Sequence, residues 1–546
     1  MRSRQGDKVL NILMLAAENG ALPGGKVGGI GDVIRDAPVA LAGLQHSVTV
    51  LTPGYGHFSR LPGATRIDTL QTVFRAQRDS VSLYRVPHQT GTAGVSCLAL
   101  EHPLFSSAGA ARIYVDDDPA RPFATDASRF ALFCAAAAAA LADGVIPRPD
   151  IIHLHDWHSA LFALLLHADP AYAAIADIPL VYTIHNLALQ GIRPLSGDES
   201  ALFSWFPALP HLPPSAIDPR YRDCYNPMRA AIALCNRVHA VSPQYAQEIC
   251  DLDSDVGCGL QADLRHARHE GRLAGILNGC DYPEVTKAPA TFADSLALAR
   301  RDVRRWIGRT TEARSSHVLA LHQLDHWLSG REPRPQALLT SVGRLTEQKL
   351  GLLCAVMPGG RLCLEHALDA LGDDGLCVML GSGDPTLEMI LTRLASERDN
   401  LLFLCGYSDA LADALYSAGD LFLMPSTFEP CGISQMLAMR EGQPCLVNAV
   451  GGLVDTVQDG GTGFVFAADA DRGAEQALLV RLGQALDCLR TQPEAYRRIR
   501  ADAAAERFPW ERTALAYCET LYSPLLPASP DRQAPQRVGE NDLRRQ

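Results

Sequence analysis

The chain has 546 residues, of which 47% are hydrophobic and 20% are charged, values typical of a globular protein with large buried cores. At about 100 to 200 residues per domain, this length predicts two or three domains. The formal net charge of −12 argues against nucleic acid or an anionic membrane surface as the main partner, because such binding needs a basic face. A neutral partner fits this charge, and an anionic ligand would need a few locally placed basic residues.

The fifteen cysteines are scattered along the chain without a CxxC pair, which predicts buried free thiols in a reducing cytoplasm. The apolar run near the N-terminus is short and leads into Glu18, so we interpret it as a first strand and not as a signal peptide. The alanine-rich run at residues 131–142 is too short to span a bilayer. We therefore expect a cytoplasmic protein without membrane contact.

Short apolar runs, each followed by a turn and a helical stretch, recur along the chain, as is typical of parallel strands in βα units. In the first half these runs are VLNILMLAAE, SVTVLTP, VSCLAL, DIIHLHD, LVYTIHN and RVHAVSP. In the second half they are ALLTSVGRL, LCVMLGSGD, LLFLCGY, DLFLMPS, PCLVNAV and GFVF. A break at 278–289 and a charged, helix-prone segment at 292–330 separate the two sets. The pattern predicts an α/β protein with two doubly wound domains.

The same pattern predicts the limits of these domains. We expect an N-terminal domain at 8–282, a C-terminal domain at 283–510, a closing helix at 511–525 and a disordered polar tail at 526–546. In open α/β sheets, ligands bind beyond the carboxyl ends of the strands. If two such sheets face each other, the residues that follow their strands meet at one cleft, and these residues are the candidates for a functional site.

A glycine-rich turn, GGKVGGIGDV, connects the first strand to a helix. Bare backbone amides at Gly28 and Gly29, together with the cationic Lys26, are suited to holding a phosphate group at a helix N-terminus. The alternative is a flexible turn whose glycines only permit left-handed conformations. The spacing matches neither a Walker loop nor the strict GxGxxG fingerprint.

The stretch HLHDWH places three imidazoles and a carboxylate within six residues, which raises the alternative of a metal site. Closing ligands at a suitable distance are not evident in the sequence, so we assign no metal. We interpret Asp156 and Trp157 as sugar-facing groups, a hydrogen-bonding carboxylate and a stacking ring, with a buried polar cluster as the alternative. His185 follows another apolar strand and would also face the cleft, although a lone histidine there is often structural.

Charged residues also follow strands in the second half. Arg344 and Lys349 lie five residues apart at a strand-to-helix junction, an arrangement suited to neutralising a diphosphate leaving group; two solvated cations are the alternative. Glu429 in PSTFEPCGISQ is placed to accept hydrogen bonds from sugar hydroxyls. Ordinary strand-to-helix turns are the alternative for this stretch and for the glycine-rich turns beside it. The amides suited to a donor phosphate or to tightening these loops belong to Gly381, Gly383, Gly432, Ile433, Gly451 and Gly452.

In this order, these stretches resemble the motifs of the glycogen/starch synthase family, a group of GT-B glycosyltransferases. The family's KTGGLADV compares with KVGGIGDV here, HxHDW with HLHDW, TIHN with TIHN, and NGID with NGCD at 278–281. SRLTxQKG compares with GRLTEQKL, GSGDPxLE with GSGDPTLE, EPCGLTQ with EPCGISQ, and TGGLxDTV with VGGLVDTV. Eight motifs in order make the resemblance specific, and it runs from about residue 12 to residue 466.

The resemblance implies a GT-B fold, with two Rossmann-like domains facing a central cleft. It implies transfer of glucose from ADP-glucose to the 4-hydroxyl at the non-reducing end of an α-1,4-glucan, with retention of configuration and without a metal or other cofactor. Carried over by position, the catalytic candidates are His185, Glu429, Arg344, Lys349 and Asp156. The donor-binding candidates are Lys26, Gly28, Gly29, Asn278, Gly381, Gly383, Cys431, Gly432, Ile433, Gly451 and Gly452.

Several positions depart from the family pattern. The loop between Glu18 and Lys26 is longer, Val27 replaces a threonine, and the segment at 310–335 is enlarged, but no principal charged group is lost. The likeness to bacterial and plant-type sequences favours ADP-glucose over UDP-glucose, although no base-reading residue decides the donor. Two alternatives remain: a GT-B transferase with another sugar or acceptor, and a weakly active glucan-binding regulatory protein. The intact charged residues disfavour the second, since a binding module has little need for paired cations.

Overall fold

The structure is a computed structural model that describes residues 8–282, 289–309, 314–329 and 334–526. Below, the first half means residues 8–282 and the second half means the described residues from 289 onward. The strands are β1 Asn11–Leu15, β2 Ser47–Pro53, β3 Thr65–Phe74, β4 Gln77–Val86, β5 Val95–Glu101, β6 Ile151–His155, β7 Leu180–Ile184, β8 Arg193–Pro194, β9 Cys224–Tyr225, β10 Arg237–Ala240, β11 Leu273–Gly275, β12 Ala337–Val342, β13 Gly375–Gly381, β14 Leu401–Cys405, β15 Leu421–Met424, β16 Cys445–Asn448 and β17 Gly463–Phe466.

Helices connect most of these strands, and several begin with a side-chain cap. Asp384 accepts hydrogen bonds from the amides of the helix that Pro385 opens, as expected for proline at a first helical position. The helices are α1 Gly29–Gly43, α2 Ala124–Ala142, α3 Asp156–Ala168, α4 Leu202–Trp205, α5 Pro227–Leu234, α6 Pro243–Glu248, α7 Gln261–His269, α8 Phe292–Ile307, α9 Ser315–Leu328, α10 Glu347–Cys354, α11 Cys363–Leu371, α12 Pro385–Glu397, α13 Asp409–Ala418, α14 Ser434–Arg440, α15 Gly451–Thr456, α16 Ala474–Thr491, α17 Pro493–Ala505 and α18 Trp510–Ala516.

The main sheet of the first half has nine strands, in the order β11, β10, β7, β6, β1, β2, β5, β4, β3. The strands from β11 to β5 are parallel, and β4 pairs antiparallel with both of its neighbours. All six apolar runs predicted here are strands: β1, β2, β5, β6, β7 and β10. The sequence pattern does not predict the β3–β4 hairpin, because both strands alternate exposed and buried residues and so lack a continuous apolar run.

The sheet of the second half has six parallel strands, in the order β14, β13, β12, β15, β16, β17. These are the six predicted strands of that half. Both sheets are covered on both faces, since alternate residues of one strand belong to different cores. In β1, for example, Leu13 and Leu15 pack in one core while Ile12 and Met14 pack in another. The predicted fold of two doubly wound α/β domains is therefore confirmed.

The two halves meet at the carboxyl ends of their sheets. Ser242, which follows β10, donates a hydrogen bond of 2.6 Å from its Oγ to the carbonyl oxygen of Pro430, which follows β15. Glu248 at the end of α6 accepts a hydrogen bond of 2.8 Å from the backbone amide of Gly451, which follows β16. The strand ends of the two sheets therefore face each other across one cleft, as the sequence predicts.

The last described segment returns to the first half. Helix α18 packs against α1, and a π-helical turn, Tyr517–Tyr522, continues it. The segment predicted as a closing helix, 511–525, is wound as the rest of α18, this π-helical turn and a short 3₁₀ turn. The predicted tail lies outside the described residues apart from residue 526, and the enlarged segment at 310–335 is described only in part, mostly as α9. The exact domain limits stay a prediction.

One helix among the described residues, α2, is long and apolar enough to cross a membrane, with a mean hydropathy of 1.2. It starts at residue 124, before the alanine-rich run noted in the sequence, and so reaches 19 residues. However, 94% of its apolar window is buried inside the molecule. Its Arg129 and Asp126 form a buried ion pair of 2.8 Å. We therefore interpret α2 as a core helix.

Candidate active site

Glu18 closes the glycine-rich loop that follows β1. Its Oε2 accepts hydrogen bonds from the backbone amides of Val27 and Gly28, both at 2.7 Å, and of Gly31 at 3.2 Å. The hydroxyl of Tyr114 donates to its other oxygen at 2.8 Å. A carboxylate thus occupies amides that the sequence suggested were bare. The amide of Gly28 is therefore not open to a donor phosphate in this structure.

Other groups of the same loop do reach the cleft. Lys26 Nζ lies 2.8 Å from Asp32 Oδ1, and its side chain is 35% exposed. A Cβ added at Gly29 would meet no atom of the described residues within 4 Å, so this position borders open space. Lys26 and Gly29 are thus placed where a ligand can approach, but Lys26 is already paired with Asp32, whose same oxygen also lies 3.0 Å from Arg35 Nη1.

Asp156 is the first residue of α3 and has a φ of 58°, in the left-handed region that a non-glycine residue seldom adopts. Its carboxylate accepts a hydrogen bond of 2.7 Å from the amide of Trp157, and the amides of His185 and Asn186 also bond to it. Burial raises the pKa of Asp156 to about 7, and the charge of Glu18 adds to the rise. Asp156 therefore joins the loops that follow β6 and β7 and exchanges its proton near neutral pH.

Trp157 does not face the cleft, so the prediction of a sugar-stacking ring is wrong. The side chain is only 6% exposed. A Cβ added at Gly191 would lie 2.1 Å from its ring, and Phe130 packs edge-on with ring centroids 5.2 Å apart. As the second residue of α3, Trp157 packs against the N-terminal half of α2 and the loop at Gly191. The sequence alone did not reveal this direction, because the residue adjoins Asp156 at the strand end.

His185 follows β7 and is partly exposed. Its Nε2 lies 3.1 Å from Nδ1 of His155, the last residue of β6. Burial lowers the pKa of His185 to about 3, and His239 adds to this effect. His185 is therefore neutral at physiological pH, and its Nδ1 has no hydrogen-bond partner within the part of the chain that the structure describes. Such a ring is suited to hydrogen-bonding an uncharged hydroxyl.

The second half contributes an open pocket at the carboxyl ends of β12, β13 and β15. Arg344 and Lys349 both line it. Lys349 Nζ lies 2.8 Å from Oε2 of Glu429, which also accepts a hydrogen bond of 3.1 Å from Ser426 Oγ. Arg344 is exposed and forms no ion pair or hydrogen bond with any other described residue. The structure thus brings together three of the predicted catalytic residues, and their combined charge is positive.

Gly381 and Gly383 allow two loops of the second half to approach closely. A Cβ at Gly381 would lie 2.0 Å from the carbonyl oxygen of Gly343, and one at Gly383 would lie 2.3 Å from that of Leu345. The amide of Gly383 donates to Glu388 at 3.1 Å. These contacts favour the alternative in which the glycines tighten the loop. Donor contact by the two glycines stays a prediction.

Gly451 and Gly452 hold the Glu429 loop. A Cβ at Gly451 would lie 1.9 Å from the carbonyl oxygen of Glu429, and that same oxygen accepts a hydrogen bond of 3.0 Å from the amide of Gly452. The amide of Gly451 is bound to Glu248, as described above. Both amides are therefore occupied in this structure, so they do not offer the phosphate contact expected from the sequence.

The remaining donor-binding candidates divide into two pairs. The amides of Gly432, with a φ of 75°, and of Ile433, which precedes α14, donate to no acceptor among the described residues. Cys431 and Asn278 are 3% and 4% exposed, and the Cys431 thiol lies against the backbone amide of Asn278. The first pair is open to a ligand, whereas the second pair forms part of the contact between the two halves.

Two residues that contact predicted site residues, Glu18 and His155, were not singled out from the sequence, and neither was Tyr407, which follows the strand next to β13. Glu18 and Tyr407 both follow strands, β1 and β14, so the rule of looking beyond strand ends could have found them. Tyr407 is 50% exposed, and its hydroxyl donates to Asp409 at 2.9 Å. His155 ends a strand, and only the pairing of β6 with β7 brings it beside His185.

Two family models match the chain. The starch synthase catalytic domain matches residues 11–266, and the model named glycosyl transferases group 1 matches residues 336–482. These ranges cover the nine-stranded and the six-stranded sheets almost completely. Each half therefore has its own counterpart among known glycosyltransferases.

Curated relatives match nearly the whole chain. A glycogen synthase of Anaeromyxobacter sp. (strain Fw109-5) is 35% identical over 538 residues, which cover 94% of this chain and 99% of the relative. A glycogen synthase of Streptococcus equi subsp. equi (strain 4047) is 33% identical over 547 residues, which cover 95% and 100% of the two chains.

Solved structures agree with these matches. The catalytic domain of Starch Synthase IV from Arabidopsis thaliana, bound to ADP and acarbose, is 26% identical, with a TM-score of 0.71 over 95% of this chain and 99% of that one. A sucrose-phosphate synthase from Thermosynechococcus elongatus is 18% identical, with a TM-score of 0.52 over 93% and 97% of the two chains, and shares the fold alone. The GT-B fold expected from the sequence is thus confirmed. The chain belongs to the glycogen/starch synthase family of retaining glycosyltransferases.

Proposed function

We propose that this protein takes glucose from ADP-glucose and transfers it to the 4-hydroxyl at the non-reducing end of an α-1,4-glucan. The observation that carries the proposal is the pocket of the second half, where Arg344 has no ionic partner among the described residues and Lys349 stands beside it. Cations that line a pocket can stabilise the negative charge of a departing diphosphate. A glucan-binding protein without this reaction would have no use for them.

The two cations would contact the leaving diphosphate in different ways. The planar guanidinium of Arg344 presents several N–H donors and can hold two phosphate oxygens at once. Lys349 is a point charge whose position is fixed by Glu429 at 2.8 Å. The amides of Gly432 and Ile433, together with Lys26 and Gly29 from the opposite wall, complete the donor phosphate site in this proposal.

The groups that would hold the transferred glucose have little net charge. Neutral His185 and the carboxyl of Asp156 belong to the first half, and Glu429 belongs to the second. Lys349 balances the charge of Glu429, and the hydroxyl groups of a sugar pair with such donors and acceptors. The acceptor 4-hydroxyl attacks the anomeric carbon from the face that ADP leaves, and its proton passes to the departing phosphate oxygen. This same-face attack retains the α configuration.

The choice of ADP-glucose has two supports. The Arabidopsis relative was solved bound to ADP. In this chain, the exposed ring of Tyr407 lies beyond β14, beside the pocket strands, and offers a face on which a base can stack. Because a tyrosine face also accepts uracil, the comparison of the two donors must be made directly.

The same proposal places the enzyme in the cytoplasm. All fifteen cysteines are free thiols in the structure, and ten of them are buried. Unpaired cysteines in such number are typical of a reducing compartment.

Radiolabelled glucose incorporation into glycogen tests the proposal, with ADP-glucose and UDP-glucose compared in parallel and EDTA present. We expect strong incorporation from ADP-glucose and weak incorporation from UDP-glucose, with the α-1,4 linkage identified by amylase digestion of the product. Preference for UDP-glucose would overturn the donor. No incorporation from either donor by folded protein would favour another sugar or acceptor, or a binding role.

A further inference from the structure

His155 is a buried histidine that the proposed chemistry does not use directly. Its Nδ1 lies 3.1 Å from Nε2 of His185, within hydrogen-bonding distance. Its other nitrogen, Nε2, is shielded from solvent and has no partner among the described residues. One of the two facing nitrogens must donate the hydrogen bond and the other must accept it. If His185 donates, its Nδ1 carries no proton; if His155 donates, Nδ1 of His185 carries the proton.

The unpartnered Nε2 of His155 distinguishes these arrangements. If His185 donated the hydrogen bond, neutral His155 would carry its proton on Nε2 and leave a buried N–H without an acceptor. If His155 donates from Nδ1, its Nε2 is only an unused lone pair. Buried N–H groups without acceptors are rarer in folded proteins than buried acceptors without donors. The second arrangement is therefore favoured, and it leaves the proton of His185 on Nδ1, the nitrogen that has no protein partner.

Packing and hydrogen bonds hold the ring of His155 in this orientation. His153 stacks on it with ring centroids 4.3 Å apart and planes inclined by 27°. Its backbone is also fixed, because the amide of His155 donates to Ser159 Oγ at 2.7 Å and this hydroxyl donates back to the carbonyl of His155 at 3.0 Å.

A hydrogen-bond chain through the sheet fixes His153 in turn. The carbonyl of Ile276 can only accept, so His239 Nε2 donates to it at 3.0 Å, and His239 Nδ1 then accepts from Thr183 at 2.9 Å. Thr183 accepts from His153 Nε2 at 2.6 Å, and His153 Nδ1 accepts from Tyr522 at 2.9 Å. Burial lowers the pKa of His153 and brings that of His239 to about 4, so both rings are neutral. Each donor and acceptor in this series of hydrogen bonds is therefore assigned.

We propose that His155 is a positioning residue that holds His185 as the tautomer with its proton on Nδ1, directed into the cleft as a hydrogen-bond donor to an oxygen of the bound sugar. The inference deepens the proposed function and rests on it only for the identity of the ligand. It also gives the C-terminal π-helical turn a role, because Tyr522 donates a hydrogen bond to His153, which stacks on His155.

Nuclear magnetic resonance of protein labelled with [15N]histidine tests the tautomer without substrate. Long-range correlation spectra distinguish a protonated from an unprotonated ring nitrogen, and the His185→Ala variant identifies the His185 signals by their loss. We expect a protonated Nδ1 and an unprotonated Nε2 at neutral pH. A protonated Nε2 on His185 would overturn the proposal. Because this measurement needs no donor or acceptor, it stands even if the glucosyl-transfer assay fails.

A set of variants tests the consequence for catalysis. In His155→Asn, the side-chain amide occupies the place of Nδ1 and can still donate to His185, whereas His155→Leu removes the donor. We expect His155→Leu to lower kcat/KM by about tenfold or more and His155→Asn to restore most of it. The matched control is His46→Asn, at a buried histidine that accepts from the Leu10 amide at 3.2 Å, remote from the cleft. We expect unchanged kinetics for this control.

Equal losses in His155→Leu and His155→Asn, with wild-type melting temperatures, would contradict the positioning role. If His155→Leu does not fold, the spectra of the wild type and of His155→Asn still decide, since both should show the same His185 tautomer. Absence of activity in the wild type would instead contradict the proposed function and leave the tautomer result unaffected.

Discussion

The cleft has one wall from the first half and one from the second half, and the two walls differ in how far their cations are paired. In the first half, Lys26 is already paired with Asp32, and the amides of its loop are largely occupied by a carboxylate. In the second half, Arg344 has no ionic partner within the described ranges, and Lys349 shares its charge with Glu429 alone. The difference indicates a division of labour. In the proposed function, the first half supplies fixed hydrogen-bonding groups, and the second half supplies the positive charge that a leaving diphosphate requires.

This division has a physical basis in the location of each wall's ionisable groups. His185 and Asp156 are desolvated, which favours the uncharged form of each, and Asp156 has a pKa of about 7 as a result. Arg344 instead lies at the mouth of an open pocket, where its charge is hydrated until a ligand replaces the water. Changes to the second-half wall should therefore affect the rate of glucosyl transfer most strongly.

The largest effect is expected for Arg344→Ala. We expect a loss of about 3 to 4 kcal/mol of transition-state stabilisation, because the side chain is uncompensated and can hold two phosphate oxygens. The melting temperature should stay unchanged, since Arg344 bonds to no described residue. Steady-state kinetics with ADP-glucose measure the first effect and calorimetry the second. Arg393→Ala, which breaks only an exposed pair with Glu397, is the control and should behave as the wild type.

Lys349→Ala should have a similar or slightly smaller effect, a loss of about 2 to 4 kcal/mol in kcat/KM. The cation is partly balanced by Glu429 at 2.8 Å, so less of its charge is available to the leaving group than for Arg344. The variant should remain folded by circular dichroism, and Lys349→Arg should recover part of the activity. Unchanged turnover would remove Lys349 from the mechanism.

The free energy of unfolding should depend on pH because of Asp156 in the first half. Its pKa is raised from 3.8 to about 7, so the folded state keeps a proton that the unfolded state loses between these values. The stability that Asp156 contributes is therefore complete below pH 4 and is lost as the pH rises through about 7, with a slope of at most about 1.4 kcal/mol per pH unit. Urea unfolding across this range measures it. Asp156→Asn should lack this slope, and an identical pH profile for both proteins would refute the assignment.

The smallest effect is expected for Lys26→Ala, with a rise in the KM for ADP-glucose equivalent to about 1 kcal/mol or roughly fivefold. Lys26 must share its charge with Asp32, so its net attraction for phosphate is weak. The comparison between the two walls depends on this ranking. A loss of turnover in Lys26→Ala as large as in Arg344→Ala would show that both walls balance the diphosphate.

The sequence was sufficient to identify most strands of the two main sheets and to propose positions for the site. Twelve continuous apolar runs predicted twelve strands of the two main sheets, because a strand buried on both faces leaves that signal in the sequence. The β3–β4 hairpin was not predicted, since one of its faces is exposed. Arg344, Lys349 and Glu429 were likewise proposed from their places after strands; in the structure the two cations line one pocket, and Glu429 pairs with Lys349.

The tertiary structure decided which of these groups are still open to a ligand. No sequence pattern indicated that Glu18 fills the glycine-rich loop, that Gly451 bonds to Glu248 across the two halves, or that Trp157 turns into the core. Local sequence determines whether a residue follows a strand, because that depends on neighbours along the chain. Whether its amide or ring is already occupied depends on residues distant in sequence, and only the packing of the two sheets and their connecting helices brings those residues together.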